Sequence, residues 1–537
     1  MTNPYLTLEC VTCVLPDGKT LFSDLHETFD QRRTGLVGRN GVGKSMLARI
    51  LAGQAQPSSG RCLRSGSVYS LAQHITPAAD ATVGTLVGIQ HTLAALTRIE
   101  TGSSDPADFD AVGDRWDIRQ RLQGELEQQG LGRLDIDTPA SRLSGGEAMR
   151  VSLIGAWLSD ADFLILDEPS NHLDRPHRQA LIEQLQHWPR GLLVVSHDRQ
   201  LLQSMERIVE LSSLGLRSYG GNYTFYAEAK TLERQSALQH LVQRKLERQR
   251  EEHSMREQRE RQARRQARGD RHGKESNQAK ILLDRQKERS EGSAGKLRQQ
   301  QAAARQLLDQ QVREAAQQVQ SDAPISLHAL PVARVAQRHV VELDAVELPF
   351  VPDATRNINL VLNGQQRVGI VGPNGCGKST LLKILAGQLA PLSGICKVVA
   401  ETVYLDQQIA NLNPAQTVLE QMRAANHAAT ESDLRMRLAQ LDLDAQKIMV
   451  PSGLLSGGER LKAALACVLY ADPPPQLLLL DEPSNHLDLP STQALEAMLC
   501  SYQSALVVVS HDDVFMGNVG LTDRLVATEQ GWSLEAW

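Results

Sequence analysis

Aromatic side chains are scarce in this sequence: Phe, Trp and Tyr make up 4% of its 537 residues. None occurs between Tyr226 and Phe350, which excludes a large packed core from that stretch, since aromatic rings supply much of a core's buried area. Cysteine is equally sparse. The seven thiols, Cys10, Cys13, Cys62, Cys376, Cys396, Cys467 and Cys500, are odd in number and scattered, which excludes a disulfide framework or an iron–sulfur cluster and reads as a reduced, cytoplasmic setting. Cys10 and Cys13 form a C-x-x-C with no second pair and no spaced histidine, so they read as ordinary residues of a first strand. Long apolar runs are missing as well. Gln476–Leu480 and Ala505–Val509 are strand-length, far below the ~20 residues that cross a bilayer, and the N-terminus lacks a charged-then-apolar signal pattern. No membrane insertion is expected. A net charge of −6 argues against binding nucleic acid over the whole surface.

What the chain does have is a duplication. Gly38-Arg39-Asn40-Gly41-Val42-Gly43-Lys44-Ser45 returns as Gly372-Pro373-Asn374-Gly375-Cys376-Gly377-Lys378-Ser379, followed by Thr380. Leu143-Ser144-Gly145-Gly146-Glu147 returns as Leu455-Ser456-Gly457-Gly458-Glu459, and Asp167-Glu168-Pro169-Ser170-Asn171-His172-Leu173-Asp174 recurs unchanged as Asp481 to Asp488. Spacings repeat with the words: Lys44 to Gln73 and Lys378 to Gln407 are 29 steps each, as are Glu168 to His197 and Glu482 to His511. The first copy is 22 residues longer between its glutamine and its Ser-Gly-Gly. The polar stretch Gly102–Asp114 takes up much of that excess and reads as a loop or small protruding arm. Strands Thr34–Val37, Phe163–Leu166 and Leu192–Val195 alternate with helices, as do Val368–Val371, Leu477–Leu480 and Leu506–Val509. That alternation predicts an α/β fold: two tandem domains, each with a mainly parallel sheet covered on both faces. The domain bounds read as 1–222 and 336–537, with a linker over 223–335.

The linker is chemically unlike its flanks. Lys230 through Glu314 holds 22 Lys and Arg against 13 Asp and Glu, so this segment is +9 and the remainder −15. Ala227–Arg268 predicts a helix of ~40 residues. Gly269-Asp270-Arg271-His272-Gly273 is expected to break it, and a second helix, interrupted near Gly292–Gly295, ends before Pro324. The expected product is a basic α-helical hairpin with coiled-coil character. A solvated linker laced with i,i+4 pairs would read the same way; a basic hairpin on an acidic body is also the footprint of an RNA-binding arm.

G-x-x-x-x-G-K-[ST] between a strand and a helix is a phosphate-binding loop, because its backbone N–H groups curl around phosphate oxygens at a helix N-terminus. Lys44 and Lys378 then reach the β- and γ-phosphates, while Ser45 and Ser379 ligate Mg²⁺. Asp167 and Asp481 end apolar strands, where they hold the metal's water shell. Glu168 and Glu482 come next and can deprotonate the attacking water. His197 and His511 end further apolar strands and read as γ-phosphate contacts.

These motifs closely resemble those of the ATP-binding-cassette ATPases, over both halves of the chain. The resemblance implies that the Ser-Gly-Gly of one domain closes over nucleotide held by the other. Lys44, Ser45, Gln73, Asp167, Glu168 and His197 would face Ser456, Gly457 and Gly458. Lys378, Ser379, Gln407, Asp481, Glu482 and His511 would face Ser144, Gly145 and Gly146. Gln73 and Gln407 would join the serines and aspartates around Mg²⁺, and a single chain would suffice as a monomer. With twin domains, a charged helical linker and the Asp-Glu-Pro-Ser-Asn-His-Leu-Asp wording, the sequence resembles the ABC-F group in particular. That implies ATP-driven binding to and release from the ribosome, with the basic linker on rRNA and tRNA, in translation or in protection against ribosome-targeting antibiotics. The competing reading is the ATPase pair of a transporter whose membrane subunits are separate chains.

Overall fold

The computed structural model describes residues 4–73, 81–171, 173–275, 299–316, 339–399, 401–406, 412–441, 443–485 and 487–537. His172, His486, Gln407 and the expected interruption at Gly292–Gly295 lie outside the described residues. Contacts divide the chain into two units, Met1–Thr224 with Pro324–Trp537, and Phe225–Ala323.

The larger unit contains the two cassettes. The first has strands β1 (Tyr5–Val14), β2 (Thr20–Phe29), β3 (Arg33–Val37), β4 (Ser59–Ser65), β5 (Val68–Leu71), β6 (Phe163–Asp167), β7 (Gly191–Val195), β8 (Arg207–Ser212) and β9 (Gly215–Tyr219). The second repeats them as β10 (His339–Glu347), β11 (Asn357–Asn363), β12 (Arg367–Val371), β13 (Ser393–Val398), β14 (Thr402–Leu405), β15 (Leu477–Asp481), β16 (Ala505–Val509), β17 (Asp523–Thr528) and β18 (Gly531–Ala536). The main sheets run in the orders β5-β6-β7-β3-β8-β9 and β14-β15-β16-β12-β17-β18. Each is parallel except for its last pair. Every residue of β6, β7, β15 and β16 is buried, as expected for parallel strands covered on both faces. Three-stranded antiparallel sheets, β2-β1-β4 and β11-β10-β13, pack over one face of each. Between them lie the phosphate-loop helices, Lys44–Leu51 and Lys378–Leu385, whose Leu47, Ile50, Leu51 and Leu381, Leu382, Leu385 enter the cores. Cys10 and Cys13 both lie in β1, the first exposed and the second buried.

Two expectations are corrected. Gly102–Asp114 is not simply a loop or protruding arm. It contains the helix Pro106–Val112, started by Asp105, whose Oδ1 accepts from the Ala107 N–H at 2.9 Å. Val112 is fully buried in the cluster formed by Leu93, Leu96, Ile118 and Leu122, and Ser103 Oγ donates to Asp108 Oδ2 at 2.7 Å. Polar composition concealed one apolar anchor. The second correction is the linker. Its first helix runs unbroken over Tyr223–Glu275, 53 residues, straight through Gly269 and Gly273. A glycine costs about 1 kcal/mol in a helix interior, and many strong helix formers on the N-terminal side outweigh two of them. The described part of the second helix covers 299–316 and lies antiparallel to the first, with Arg259 Nε donating to Gln301 Oε1 at 2.7 Å and Arg248 3.4 Å from Asp309.

Candidate nucleotide sites

Both phosphate loops have the same construction. Gly43 and Gly377 precede their helices at φ 105° and 103°. There a Cβ would be strained and would also meet Phe22 Cε1 at 2.9 Å or Val351 Cγ1 at 2.6 Å. Lys44 Nζ folds back onto the carbonyls of Gly38 (2.8 Å) and Arg39 (3.1 Å). Lys378 Nζ does the same with Gly372 (2.8 Å) and Pro373 (2.9 Å). Each ammonium is thereby held over its loop, and burial pulls the Lys44 pKa down against the opposing charges of Glu168, Asp488 and Asp167.

Glu168 and Glu482 sit just beyond β6 and β15 at φ 49° and 50°. Left-handed backbone at a non-glycine residue costs about 1–3 kcal/mol and concentrates at functional sites. Their N–H groups donate to Val195 O at 2.8 Å and Val509 O at 2.9 Å, which locks the bend. His197 Nε2 lies 3.8 Å from Glu168 Oε1, and His511 Nε2 lies 3.5 Å from Glu482 Oε1. Burial pushes the carboxyls up to about 8 and about 7. It pushes the imidazoles down to about 3 and about 4, with Lys44 and Lys378 acting in the same direction. Each pair thus combines a carboxyl able to exchange a proton near neutrality with an uncharged histidine.

Ser144 and Ser456 are the N-caps of the helices Gly145–Leu158 and Gly457–Leu469, each closing a capping box with Glu147 or Glu459. The Leu-Ser-Gly-Gly-Glu word is therefore also a helix start, and it aims free N–H groups outward.

The two cassettes share a cavity and two reciprocal bridges. A cavity of about 550 Å³ is lined by Lys44, Ser45, Gln73, Asp167, Glu168 and His197 of the first cassette and by Ser456, Gly457 and Gly458 of the second. Asp488 of the second cassette accepts from the Asn40 N–H at 2.9 Å, and Asp174 of the first accepts from the Asn374 N–H at 3.2 Å. His511 Nε2 also meets Asn374 Oδ1 at 3.1 Å. The bridging aspartates were not singled out from sequence, although each stands two residues before a proline, at Arg175-Pro176 and Leu489-Pro490, which marks a helix start. One carboxylate does two things: Oδ1 of Asp488 caps its helix at Ser491 N (3.0 Å), while Oδ2 crosses to the other cassette.

Two observations test the fit of nucleotide and metal. Both ring nitrogens of His197 are buried without a hydrogen-bond partner, a demand that a phosphate oxygen would meet. The donors beside the loops, Ser45, Gln73 and Asp167, and Ser379 with Asp481, are all oxygen-bearing, which suits Mg²⁺.

Fold and site together define a twin-cassette P-loop ATPase. The family model described as "ABC transporter" matches residues 26–171 and 355–485. ABC transporter F family member 5 of Arabidopsis thaliana is 29% identical over 96% of this chain and 73% of its own length. Energy-dependent translational throttle protein EttA of Mycobacterium tuberculosis is 32% identical over 90% of this chain and 84% of its own. Probable ATP-binding protein YheS of Escherichia coli is 30% identical over 90% and 72%. Among solved structures, an archaeal ribosome recycling factor, aABCE1, in complex with a ribosomal stalk protein, superposes with a TM-score of 0.58 at 19% identity, over 98% of this chain and 90% of that one; this likeness speaks to the fold alone. The chain belongs to the ATP-binding-cassette family, in its F group, and is an ATPase that binds ATP. Among the described residues no helix is long and apolar enough to cross a membrane.

Proposed function

We propose that this chain is a cytoplasmic, ribosome-associated ABC-F translation factor that acts as a monomer, with cassettes over 1–222 and 336–537 and the basic linker 223–335 contacting rRNA and tRNA. The observation that carries the ATPase part is the shared cavity, in which the first cassette's loop, glutamate and histidine meet the second cassette's Ser456, Gly457 and Gly458. Lys44 and Lys378 hold the phosphates, together with loop N–H groups. Ser45, Gln73 and Asp167 would hold Mg²⁺ in one site, and Ser379, Gln407 and Asp481 in the other, where it would supply positive charge against the phosphates. Glu168 and Glu482 accept the proton of the attacking water. His197 and His511, uncharged and half-buried, donate to the γ-phosphate. The opposite Ser-Gly-Gly closes each site and excludes solvent.

The translational reading is supported by the 32% identity to a translational throttle protein and by the +9 hairpin of an otherwise acidic chain. A transporter's ATPase pair has no evident use for such a hairpin. Closure on ATP would favour ribosome binding, and hydrolysis release. Glu168→Gln with Glu482→Gln should bind ATP, fail to hydrolyse it and co-sediment with ribosomes. A double variant that sediments free of ribosomes in ATP contradicts the translational reading and leaves the ATPase reading standing.

A further inference from the structure

Each histidine is followed two residues later by a charged side chain that crosses to the other cassette, but the two crossings differ in kind. After His197 comes Arg199. Its Nη1 lies 2.8 Å from Glu496 Oε1, with side chains only 6% and 9% exposed. Glu496 sits on the second cassette's helix Leu489–Ser501, and its Oε2 accepts from Asn518 Nδ2 at 3.1 Å. After His511 comes Asp513. It pairs with Arg175 at 3.0 Å and accepts from Gln200 Nε2 at 3.3 Å, but these ion-pair side chains are 36% and 63% exposed. The duplication places Ile182 where Glu496 would have its counterpart, so the buried pair has no twin.

We infer that Arg199 and Glu496 are a positioning pair for the first composite site, holding His197 in register only when the cassettes are closed, so that hydrolysis depends on this tie at the first site and not at the second. Neither side chain lines the shared cavity, so neither is a catalytic residue. Their effect passes through two peptide units to His197, whose neighbour Asp198 caps the helix Arg199–Gln203 at Gln200 N (3.0 Å) and Leu201 N (3.2 Å). Asp198 is in turn 3.4 Å from Arg178 of its own cassette, with both side chains buried. The segment bearing His197 is therefore gripped from both cassettes. A pair buried this deeply is geometrically specific, and losing one partner strands the other charge. The exposed Asp513–Arg175 pair is screened by water and fixes much less. Burial also raises the Glu496 pKa, with Arg199 acting against it.

This inference rests on the two-site reading above, and the test separates the two. Glu482→Gln leaves only the first site turning over, and Glu168→Gln only the second. Into each background go Arg199→Gln, Glu496→Gln and the exchange Arg199→Glu with Glu496→Arg. The first site should lose about tenfold or more in kcat, with KM for ATP within about threefold, while the second site changes less than about threefold. The exchanged pair should recover at least half of the lost rate. Steady turnover by the second site, with the same pair variant in the Glu168→Gln background, reports that the variant folds, and the isosteric Glu496→Gln serves if an Arg199 variant fails to fold. Equal losses at both sites, no loss at the first, or no recovery in the exchanged pair would overturn the inference. Full turnover in Glu168→Gln/Glu482→Gln, before any change to the pair, would instead overturn the two-site reading.

Discussion

The two cassettes present the same candidate-site side chains on the same strand ends, yet different chemistry ties them together. Lys44 and Lys378 fold onto matching carbonyls, Glu168 and Glu482 share a left-handed bend, and Asp174 and Asp488 bridge reciprocally. One step away from these loops the symmetry ends. Arg178 on the helix Arg175–Gln186 corresponds to Thr492 on Leu489–Ser501, and the buried Arg199–Glu496 pair corresponds to Asp513 and Ile182. Duplication has kept the loops, the strand-end carboxylates and their reciprocal bridges, and has let the pairs around them diverge.

The largest expected effect breaks both sites at once. Glu168→Gln with Glu482→Gln should lower steady-state ATPase activity by about 10²–10⁴, the usual contribution of a positioned base, with ATP binding retained in equilibrium dialysis. Next come the bridges, which sharpen the comparison because each aspartate serves the opposite loop. Asp488→Ala should impair the site holding Lys44 and Asp174→Ala the site holding Lys378. Each also loses a helix cap worth about 1 kcal/mol, readable as a lower Tm alongside the site-specific loss of turnover.

The glycine caps come third. Gly377→Ala should destabilise its cassette more than Gly43→Ala does the other. The stiff, β-branched Val351 blocks the new Cβ at 2.6 Å, whereas Phe22 stands at 2.9 Å. Both fall in the 1–3 kcal/mol range of backbone strain and are measurable by denaturant titration. The smallest effect is expected for Arg175→Ala, which removes only an exposed ion pair and should change stability by less than about 1 kcal/mol. In the linker, replacing Arg256, Arg259, Arg261 and Arg264 by Gln should weaken ribosome binding and flatten its dependence on salt.

The residues of the candidate site were largely legible in the sequence, because phosphate chemistry demands particular residues at short, local spacings and the duplication supplies each motif twice. The strands that carry Asp167 and Asp481 were readable from apolar runs for the same reason. Asp174 and Asp488 escaped notice because their second oxygen acts across an interface, and local spacing carries no trace of that. Arg199 and Glu496 are 297 residues apart, so only the folded chain brings them together. The linker misled through a local rule: Gly269 and Gly273 are breakers by propensity, but the helix Tyr223–Glu275 continues through both. Gly102–Asp114 misled by average polarity, which hid the buried, apolar Val112.

The central claim is that each ATP site is made by both cassettes, and the most direct test exchanges the signature serines in a protein with one working glutamate. In a Glu482→Gln background, turnover belongs to the site of Lys44 and Glu168. There Ser456→Arg, on the other cassette, should lower ATP hydrolysis by about 10² or more, the scale of losing a preorganised closing group. Ser144→Arg, on the same cassette as Lys44, should leave hydrolysis within about threefold of the background. Abolition by Ser144→Arg with activity preserved in Ser456→Arg would contradict the account, because each cassette would then complete its own site.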